Sequence, residues 1–307
     1  MFKVTLRFKL KKAMTFGQLR TFVEVARAGS IRGAAAVLVV TEPSVSSAVG
    51  SLARELEVSL IEPAGRGIRL TPAGHELARY ATQILGLSER AVQAAREAAG
   101  APGHLRIAGV TTAGEYVLPV LLARYRERHP EIQISLEVGN RATAISRLLD
   151  READLVIGGR PPPAAGIAGE AFLENELSVV AHPDHPLRQR RSIQAVELSE
   201  ETWLLREPGS GTREATEEFW AASGIAPRSV MTVGSNGAIK HAATAGLGIT
   251  LISLDAVEVE LQSGVVVRLR VQGTPLQRPW HVLYIDGAEL PRSAMLFLAL
   301  LRTQGEA

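Results

Sequence analysis

The most constraining feature of the sequence is an apolar stripe that directly follows a tight turn. Its five members recur at the three- and four-residue intervals of a helix: Val45, Ala48, Val49, Leu52 and Leu56. This spacing predicts a helix over 43–56 with a single apolar face. Thr41 is a suitable N-cap for that helix, and Pro43 is tolerated in a first helical turn.

Two shorter helices are predicted ahead of the stripe, over about 17–28 and 31–39. Gly29 suits the end of the first helix, and Ser30 can cap the second. A short helix, a turn of about three or four residues and an amphipathic helix form the helix-turn-helix arrangement, whose last helix enters the major groove of DNA. The sequence therefore predicts a DNA-binding module.

A β-hairpin is predicted directly after this module, because two short β-prone segments flank a Gly65-Arg66-Gly67 turn. Such a wing can place arginine side chains on phosphates or in the minor groove. The predicted DNA contacts of the winged module, residues 14–71, are all polar: Arg32, Thr41, Glu42, Ser44, Ser46, Ser47, Ser51, Arg54, Arg66 and Arg69. The serines read base edges poorly, so the arginines should supply affinity rather than specificity.

Several stretches of this region resemble the LysR-type transcriptional regulators: LRTF at 19–22, AGSI at 28–31, AA at 34–35, TEPSVS at 41–46 and GRGIRLTPAG at 65–74. The resemblance implies a winged helix-turn-helix, a dimerising linker helix and an effector-binding domain. It also implies three kinds of partner, which are double-stranded promoter or operator DNA, RNA polymerase and further copies of the chain in a homodimer or homotetramer.

Two positions depart from the family pattern. Glu42 stands where members usually have Gln, and Ser47 stands where they often have a longer side chain. A carboxylate at position 42 repels phosphate and accepts only from a cytosine amine or water. Alternatively, Glu42 stabilises the positive N-terminus of its own helix. We therefore expect recognition that depends more on DNA shape than on base contacts.

A long helix is predicted over 72–98, and a linker through residue 103 follows it. Apolar residues alternate along the helix as a heptad seam and are the candidate dimer contacts: Leu77, Tyr80, Ile84, Leu87 and Ala91. A seam of this length needs a partner helix, either in a second copy of the chain or in the core of the next domain. A dimer also suits paired DNA half-sites.

Strands and helices alternate through residues 104–303, which predicts an α/β domain with a parallel sheet. The predicted strands lie at 105–110, 133–138, 154–157, 177–181, 203–206, 230–233, 249–253 and 282–285, and two predicted helices at 114–128 and 290–302. The resemblance implies the bilobed fold of bacterial solute-binding proteins. One lobe would comprise about 104–177 and 282–303, and the other about 178–281.

Loops after several predicted strands carry hydroxyl, amide and guanidinium groups, which suit an anionic ligand at the carboxyl ends of strands. The candidate effector-binding residues are Thr111, Thr112, Asn140, Arg141, Arg160, Ser210, Thr212, Arg213 and Asn236. Each loop taken alone is equally compatible with an ordinary helix cap. The segments at 140–141, 174–177, 207–213 and 235–236 resemble the branch of the family that regulates carbon-dioxide fixation and sulfur assimilation. That resemblance implies a small anionic metabolite, phosphorylated or a carboxylate.

Composition excludes several classes of protein. The absence of Cys excludes disulfides, iron–sulfur clusters and cysteine-based zinc fingers. The His182-Pro183-Asp184-His185 segment is either a poor metal site or a surface turn. We expect no cofactor, no metal and no catalytic residue, and no apolar run approaches the roughly 18 residues of a membrane span. The alternatives are a solute-binding protein without a DNA role and an α/β enzyme.

Charge is distributed unevenly along the chain. The formal net charge is only +2, yet four of the five lysines lie within residues 1–12. Residues 1–13 are either an upstream start or added leader, or a basic arm that touches DNA phosphates. They lack the apolar core of a signal peptide, so the cytoplasm is the expected compartment.

Overall fold

The computed structural model describes residues 14–65, 67–163 and 166–304, so Arg66 and the predicted leader lie outside the described residues. The chain divides between Ala95 and Arg96 into two compact units. The first unit contains α1 (Phe16–Ala28), α2 (Ile31–Leu38), α3 (Glu42–Leu56), β1 (Ile61–Ala64), β2 (Gly67–Leu70) and most of α4 (Pro72–Ala98).

The predicted helix-turn-helix is confirmed. Helices α2 and α3 are bent by 110° with respect to each other across the turn that joins them. Gly29 ends α1 in the left-handed region at φ 61°, and the Ser30 side chain caps α2 by accepting from the Gly33 N–H at 3.0 Å. The Thr41 side chain caps α3 by accepting from the Ser44 N–H at 3.4 Å.

The core of the first unit forms around the predicted apolar stripe. Val45, Val49 and Leu52 are buried, and they pack with Phe22 of α1 and with Leu60. Burial of each such side chain contributes about 1.5–3 kcal/mol. This local core fixes the orientation of α3, so that its opposite, polar face stays exposed.

Strands β1 and β2 pair antiparallel as the predicted wing, which closes at Ala64 opposite Gly67. The wing docks on the end of α1, where the Ile68 N–H donates to the Gly29 carbonyl oxygen at 3.0 Å. A Cβ at position 67 would lie 2.7 Å from that oxygen. The close approach of wing and helix therefore requires glycine at 67.

Helix α4 has the predicted bounds and is about 40 Å long. Leu77 packs beside the buried Ala81 against α1, because it completes the core there. Leu77 is therefore only partly exposed, and its role as a dimer contact stays a prediction. The other members of the seam are exposed: Tyr80, Ile84, Leu87 and Ala91.

The second unit alternates strands and helices over most of its length. Its strands are β3 (His104–Val110), β4 (Gln133–Gly139), β5 (Leu155–Gly158), β6 (Ile167–Leu173), β7 (Glu176–Ala181), β8 (Thr202–Arg206), β9 (Ser229–Val233), β10 (Thr250–Ser253), β11 (Val267–Arg268), β12 (Leu276–Gln277) and β13 (Trp280–Ile285). Its helices are α5 (Thr111–Tyr116), α6 (Leu118–Arg128), α7 (Arg141–Leu149), α8 (Gly211–Ser223), α9 (Asn236–Thr244), α10 (Leu254–Gln262) and α11 (Arg292–Arg302), with short 3-10 turns at Pro186–Gln189 and Ala195–Glu200.

The sheets of the second unit are mixed, so the predicted parallel arrangement is only partly right. In the first sheet, ordered β4-β3-β5-β13-β6, strand β3 is parallel to β4 and β5, whereas β13 is antiparallel to β5 and β6. In the second sheet β7 is antiparallel to β10, β11 and β12, whereas β8 and β9 form a separate parallel pair. The antiparallel pairs of the first sheet arise because β13 returns from the second lobe and enters that sheet in the opposite direction.

The first sheet organises one lobe of the second unit, and the second sheet together with the β8–β9 pair organises the other. The first lobe has β3–β6, β13, α5–α7 and α11, and its core includes Tyr125 packed edge-on against Phe297 at 5.3 Å between ring centroids. The second lobe has β7–β12 and α8–α10, and its core includes Trp203 against Trp220 at 5.3 Å. The chain crosses between the lobes at 174–175 and at 278–279.

The predicted helix over 114–128 is two helices. Helix α5 ends at Tyr116 and α6 begins at Leu118, because Pro119 in the first turn of α6 has no N–H with which to continue a helix. Among the described residues no single helix is long and apolar enough to cross a membrane. Helices α2 and α3 together have the length and apolar composition of a membrane span, but they are bent with respect to each other and neither has these properties alone.

Candidate functional site

A cleft with a volume of about 350 Å³ lies between the two lobes of the second unit. Its walls form where the carboxyl ends of strands from both lobes meet, namely β3, β4 and β5 of the first lobe and β8 and β10 of the second. Ligands of α/β proteins bind at this end of the strands. The volume is in the range of pockets that hold small metabolites.

Seven of the nine candidate effector-binding residues line this cleft: Thr111, Thr112, Asn140, Arg141, Arg160, Ser210 and Thr212. Arg213 does not line it, which corrects the prediction for that residue. Its Nε donates to Glu217 Oε1 at 2.8 Å and its Nη1 to the Arg206 carbonyl oxygen at 3.2 Å. These bonds turn the Arg213 guanidinium toward an adjoining outer groove.

Asn236 lies behind the cleft wall and is fully buried, so it is not a lining residue either. Its Nδ2 donates to Thr112 Oγ1 at 3.1 Å and to Glu115 Oε2 at 3.3 Å. Its Oδ1 accepts a hydrogen bond from Arg206. Asn236 therefore connects the second lobe to α5 of the first, and the correction follows from these bonds.

Arg206 lines the cleft but was not among the effector-binding residues predicted from the sequence. It is 2% exposed and stands at the end of β8. Its Nε and Nη2 donate to the Glu207 carboxylate at 2.7 and 2.9 Å, and Nη2 lies 3.5 Å from Thr111 Oγ1. A charged residue at the carboxyl end of an apolar strand was the signal that could have identified it.

Glu207 is ionised beside Arg206. Burial opposes the charge on this carboxyl, but the hydrogen bonds from the Arg206 guanidinium outweigh burial and hold the pKa of Glu207 below its ordinary value. The guanidinium is thus held in place by its own lobe. An anion in the cleft meets a positive group of fixed position, which favours charge-assisted hydrogen bonds.

Arg141 brings a second guanidinium into the cleft from the first lobe. Its Nη2 donates to the Arg160 carbonyl oxygen at 2.6 Å, and its Nε lies 3.4 Å from Glu214 Oε2 of the second lobe. A Cβ at Gly159 would lie 3.3 Å from the Arg141 Nη1, a tight contact. Glycine at 159 therefore leaves room for the guanidinium beside the backbone.

The predicted loops differ in whether their polar residue is an ordinary helix cap. The Asn140 side chain accepts from the Thr143 N–H at 2.9 Å, and the Ser235 side chain accepts from the Ala238 N–H at 3.1 Å, so both are caps. Ser210 holds the corresponding position before α8, but its side chain makes no capping bond. Because the Ser210 side chain makes no capping bond and lines the cleft, its hydroxyl is available to a ligand.

The two segments that cross between the lobes also meet at the cleft. The Arg278 N–H donates to the Asn175 carbonyl oxygen at 2.8 Å, and Asn175 Nδ2 donates to the Arg278 carbonyl oxygen at 2.9 Å. Ser253 Oγ donates to Asn175 Oδ1 at 2.7 Å. The sequence prediction did not include these residues, and all three line the cleft.

Lys240 forms a second link between the lobes, on α9. Its Nζ lies 2.8 Å from Glu260 Oε1 and 5.1 Å from the centroid of the Tyr116 ring at the end of α5. Burial opposes the charge on Lys240, but hydrogen bonds to Glu260 and Tyr116 outweigh it and raise the pKa of Lys240. The charged ammonium therefore stabilises the packing of α5 on the second lobe.

The histidines at 182 and 185 serve local turns. His182 Nδ1 accepts from the Asp184 N–H at 3.1 Å, and His185 Nδ1 accepts from the Leu187 N–H at 3.3 Å. His185 Nε2 lies 3.3 Å from Glu201. Within the residues that the structure describes, no group of three or more His, Cys, Asp or Glu side chains is placed to hold a metal ion.

The candidate DNA contacts in the first unit lie on α3 and the wing, apart from Arg32 on α2. Glu42 is in the first turn of α3, where a carboxylate stabilises the positive end of a helix. The Thr41 and Ser44 hydroxyls bond to each other at 2.8 Å and so take part in the cap. Arg54 Nε folds back onto the Gly50 carbonyl oxygen at 3.1 Å.

The remaining candidates differ in exposure and in their partners. Arg32, Ser46 and Ser47 are exposed and Ser51 is half-buried. Arg69 of β2 pairs across the wing with Glu62, at 2.7 Å between Nη2 and Oε1. Arg66 lies outside the described residues. A phosphate contact by Arg69 therefore competes with a carboxylate of the same hairpin.

Both units match known family models. The model of the bacterial regulatory helix-turn-helix protein, lysR family, matches residues 16–75. The model of the LysR substrate binding domain matches residues 98–306. Together these two models cover the winged module and the two-lobed unit.

Named relatives match along almost the whole chain. A RuBisCO operon transcriptional regulator of Allochromatium vinosum is 39% identical over 282 residues, 91% of this chain and 93% of that protein. The transcriptional activator CmpR of Synechocystis sp. is 37% identical over 297 residues, 96% of this chain and 97% of that protein. The solved CcmR regulatory domain of Synechocystis PCC6803, in complex with 2-PG, is 33% identical to this chain and superimposes with a TM-score of 0.61. The match covers 66% of this chain and 96% of the CcmR domain.

Proposed function

The chain belongs to the LysR family of transcriptional regulators, and from that premise we propose that it controls carbon-fixation genes in response to a small anionic metabolite. As a member of the family it is a DNA-binding, effector-responsive regulator. The proposal for the gene class is supported by relatives named as regulators of the RuBisCO operon. The proposal for the effector is carried by the cleft, whose walls include four arginines: Arg141, Arg160, Arg206 and Arg278.

We propose that the effector is 2-PG or a similar small anion, since the related CcmR domain was solved with 2-PG. Arg141 and Arg206 would donate to its anionic group from opposite lobes, and the Ser210 hydroxyl would donate from the start of α8. The Thr111 and Thr112 hydroxyls line the cleft from the first lobe, at the start of α5. A ligand that contacts both lobes stabilises one arrangement of the lobes relative to the others, and this shift would be the basis of regulation by the effector.

The DNA-binding unit would work in pairs. We propose that the exposed seam of α4 joins two copies into a dimer, which brings two copies of α3 to two half-sites, with tetramers formed from dimers. Effector-dependent closure would change the spacing of the paired units on DNA and hence contact with RNA polymerase. A regulator acts where the chromosome is, so we assign it to the bacterial cytoplasm. The named regulators among the relatives support binding rather than catalysis as its role.

Selection of genomic fragments by the purified full-length protein tests this function. We expect enrichment of fragments upstream of carbon-fixation genes and a change in their affinity when 2-PG is added. Arg206→Gln should abolish the effect of 2-PG while DNA retention remains. Enrichment of unrelated promoters, or a 2-PG response that survives Arg206→Gln, would contradict the proposal.

A further inference from the structure

The two lobes of the second unit contact each other at two places besides the segments that cross between them. At the first place, α5 of the first lobe packs on α9 and α10 of the second. At the second place, the start of α7 meets the loop between β8 and α8. These two contacts differ in burial and in the kind of bond that holds them.

The contact of α5 is built from buried groups. Tyr116 packs against an apolar cluster of the second lobe that includes Ile239, and Lys240 Nζ lies 5.1 Å from the centroid of the Tyr116 ring. Asn236 is fully buried and donates to Thr112 Oγ1 at 3.1 Å. Separation of α5 from the second lobe would leave buried polar groups without partners, which is costly.

Helix α5 is also held tightly in its own lobe. It lies so close to β4 that a Cβ at Gly114 would stand 2.6 Å from the Val138 side chain. It begins directly at the end of β3, with no loop between them. Because α5 is fixed to both lobes, relative motion of the lobes has to pivot on it.

The contact of α7, in contrast, is held by two weak bonds. The Ala142 N–H donates to the Gly209 carbonyl oxygen at 3.3 Å, and the Arg141 Nε lies 3.4 Å from Glu214 Oε2. The Glu214 side chain is 58% exposed, and an exposed ion pair of this length contributes little stability. This contact can therefore break at a small cost while α5 stays in place.

We propose that the contact of α7 is a latch: the cleft opens between Ala142 and Gly209 by rotation of the lobes about α5, and the ligand enters there. This inference rests on the proposed function, in which the cleft receives the effector. Arg141 and Ser210 line the cleft beside the latch and belong to different lobes. A ligand held by both residues joins the same two elements as the latch and keeps it closed, so occupancy fixes the arrangement of the lobes.

Residue-resolved hydrogen exchange of the full-length protein tests the latch without a ligand. The Ala142 N–H is in the first turn of α7, where it has no acceptor in its own helix, so its exchange reports the bond across the latch. The Thr143 N–H donates to the Asn140 side chain of the same lobe and is the internal control. Glu214→Gln should speed exchange at Ala142 about two- to fivefold and leave Thr143 unchanged.

Two further variants separate the latch from the contact of α5. Glu217→Gln removes the same charge from the same helix, but its partner Arg213 lies in the same lobe, so exchange at Ala142 should not change. Lys240→Met loosens the contact of α5 and should also leave exchange at Ala142 unchanged, because α5 stays docked during opening. Faster exchange at Ala142 in Lys240→Met, or unchanged exchange there in Glu214→Gln, would overturn the inference.

A cross-link tests the route of ligand entry. The chain has no cysteine, and a Cβ at 209 would lie 3.4 Å from the Ala142 Cβ, close to the spacing of about 3.5–4.5 Å in disulfides. In the double variant Ala142→Cys, Gly209→Cys, oxidation should slow the association of 2-PG about tenfold or more, and reduction should restore it. The two single variants, treated with the same oxidant, are the matched controls and should show no change.

The two experiments distinguish this inference from the proposed function. If 2-PG associates equally fast with the oxidised and reduced forms, the latch is not the entrance, and the inference fails while the proposed function stands. If 2-PG binds to no form of the protein, the proposed function fails for that ligand, and exchange at Ala142 still decides whether the latch opens. Exchange also decides the matter if the double variant does not fold, since position 209 has φ 85°.

Discussion

Asn236 of the second lobe donates from Nδ2 to Thr112 Oγ1 of the first lobe at 3.1 Å, while its Oδ1 accepts from the buried Arg206. Asn236→Ala should destabilise the second unit by about 1–3 kcal/mol, because it leaves a buried guanidinium donor without its acceptor. Urea unfolding of the full-length protein measures this loss. The control is Gln277→Ala, which removes an exposed side chain bonded to Glu176 and should stay within about 0.5 kcal/mol of the wild type.

The ion pair of Glu207 with Arg206 predicts a pH dependence of stability. The pKa of Glu207 is held below its ordinary 4.5 in the folded protein, so its charge stabilises the fold above pH 4.5. That contribution is lost as the pH falls through the lower, folded pKa. We expect Glu207→Gln to be less stable than the wild type at pH 7 and the difference to shrink below pH 4.5 in urea unfolding. A difference that is constant with pH would exclude this account.

The wing should contribute to DNA affinity through charge. Arg69→Ala should weaken binding to all DNA sequences alike and reduce the slope of log affinity against log salt by about 1. Glu62→Gln removes the carboxylate that holds Arg69 at 2.7 Å, so it should strengthen binding. The same loss is expected for Arg66→Ala on the sequence alone. Fluorescence anisotropy over a salt series measures both effects, and an unchanged slope in Arg69→Ala would rule out a phosphate contact.

The exposed seam of α4 should hold the dimer. Ile84 and Leu87 are 39% and 59% exposed on one face of the helix. Leu87→Glu should shift the protein to monomers in sedimentation equilibrium and remove tight binding to paired half-sites, because it places a charge in an apolar seam. Glu89→Lys changes a residue off this face and should leave the association state as it is. A wild type that is already monomeric at micromolar concentration would refute the role of the seam.

Val39 is strained in the turn before the DNA-binding helix. It is a β-branched residue at φ 55° and is 89% exposed, so no packing compensates the left-handed backbone. Val39→Gly should stabilise α2 and α3 by about 1 kcal/mol. Val37→Gly, at an exposed helical position two residues earlier, should destabilise them by about the same amount. Hydrogen exchange of the α2 and α3 amides separates the two outcomes.

Much of the DNA-binding unit could be predicted because its determinants are local. The Ser30 and Thr41 caps bond to amides three residues away, and the glycine at 29 ends α1 through its own backbone conformation. The apolar stripe of α3 has a helical period that no other element can satisfy. The residues at the carboxyl ends of β3, β4 and β5 could be assigned to the cleft for a comparable reason, since that end of a sheet faces the ligand.

The sequence by itself determined the helices of the first unit, the bounds of α4 and most of the loops that line the cleft. Only the tertiary structure decided which residues of those loops line the cleft and which are buried behind its wall. Asn236 meets a partner 124 positions away, and Arg206 is buried by contacts from both lobes. The antiparallel entry of β13 likewise depends on a return from the second lobe. Such contacts join segments that are distant along the chain, so neither hydrophobic periodicity nor capping residues can predict them.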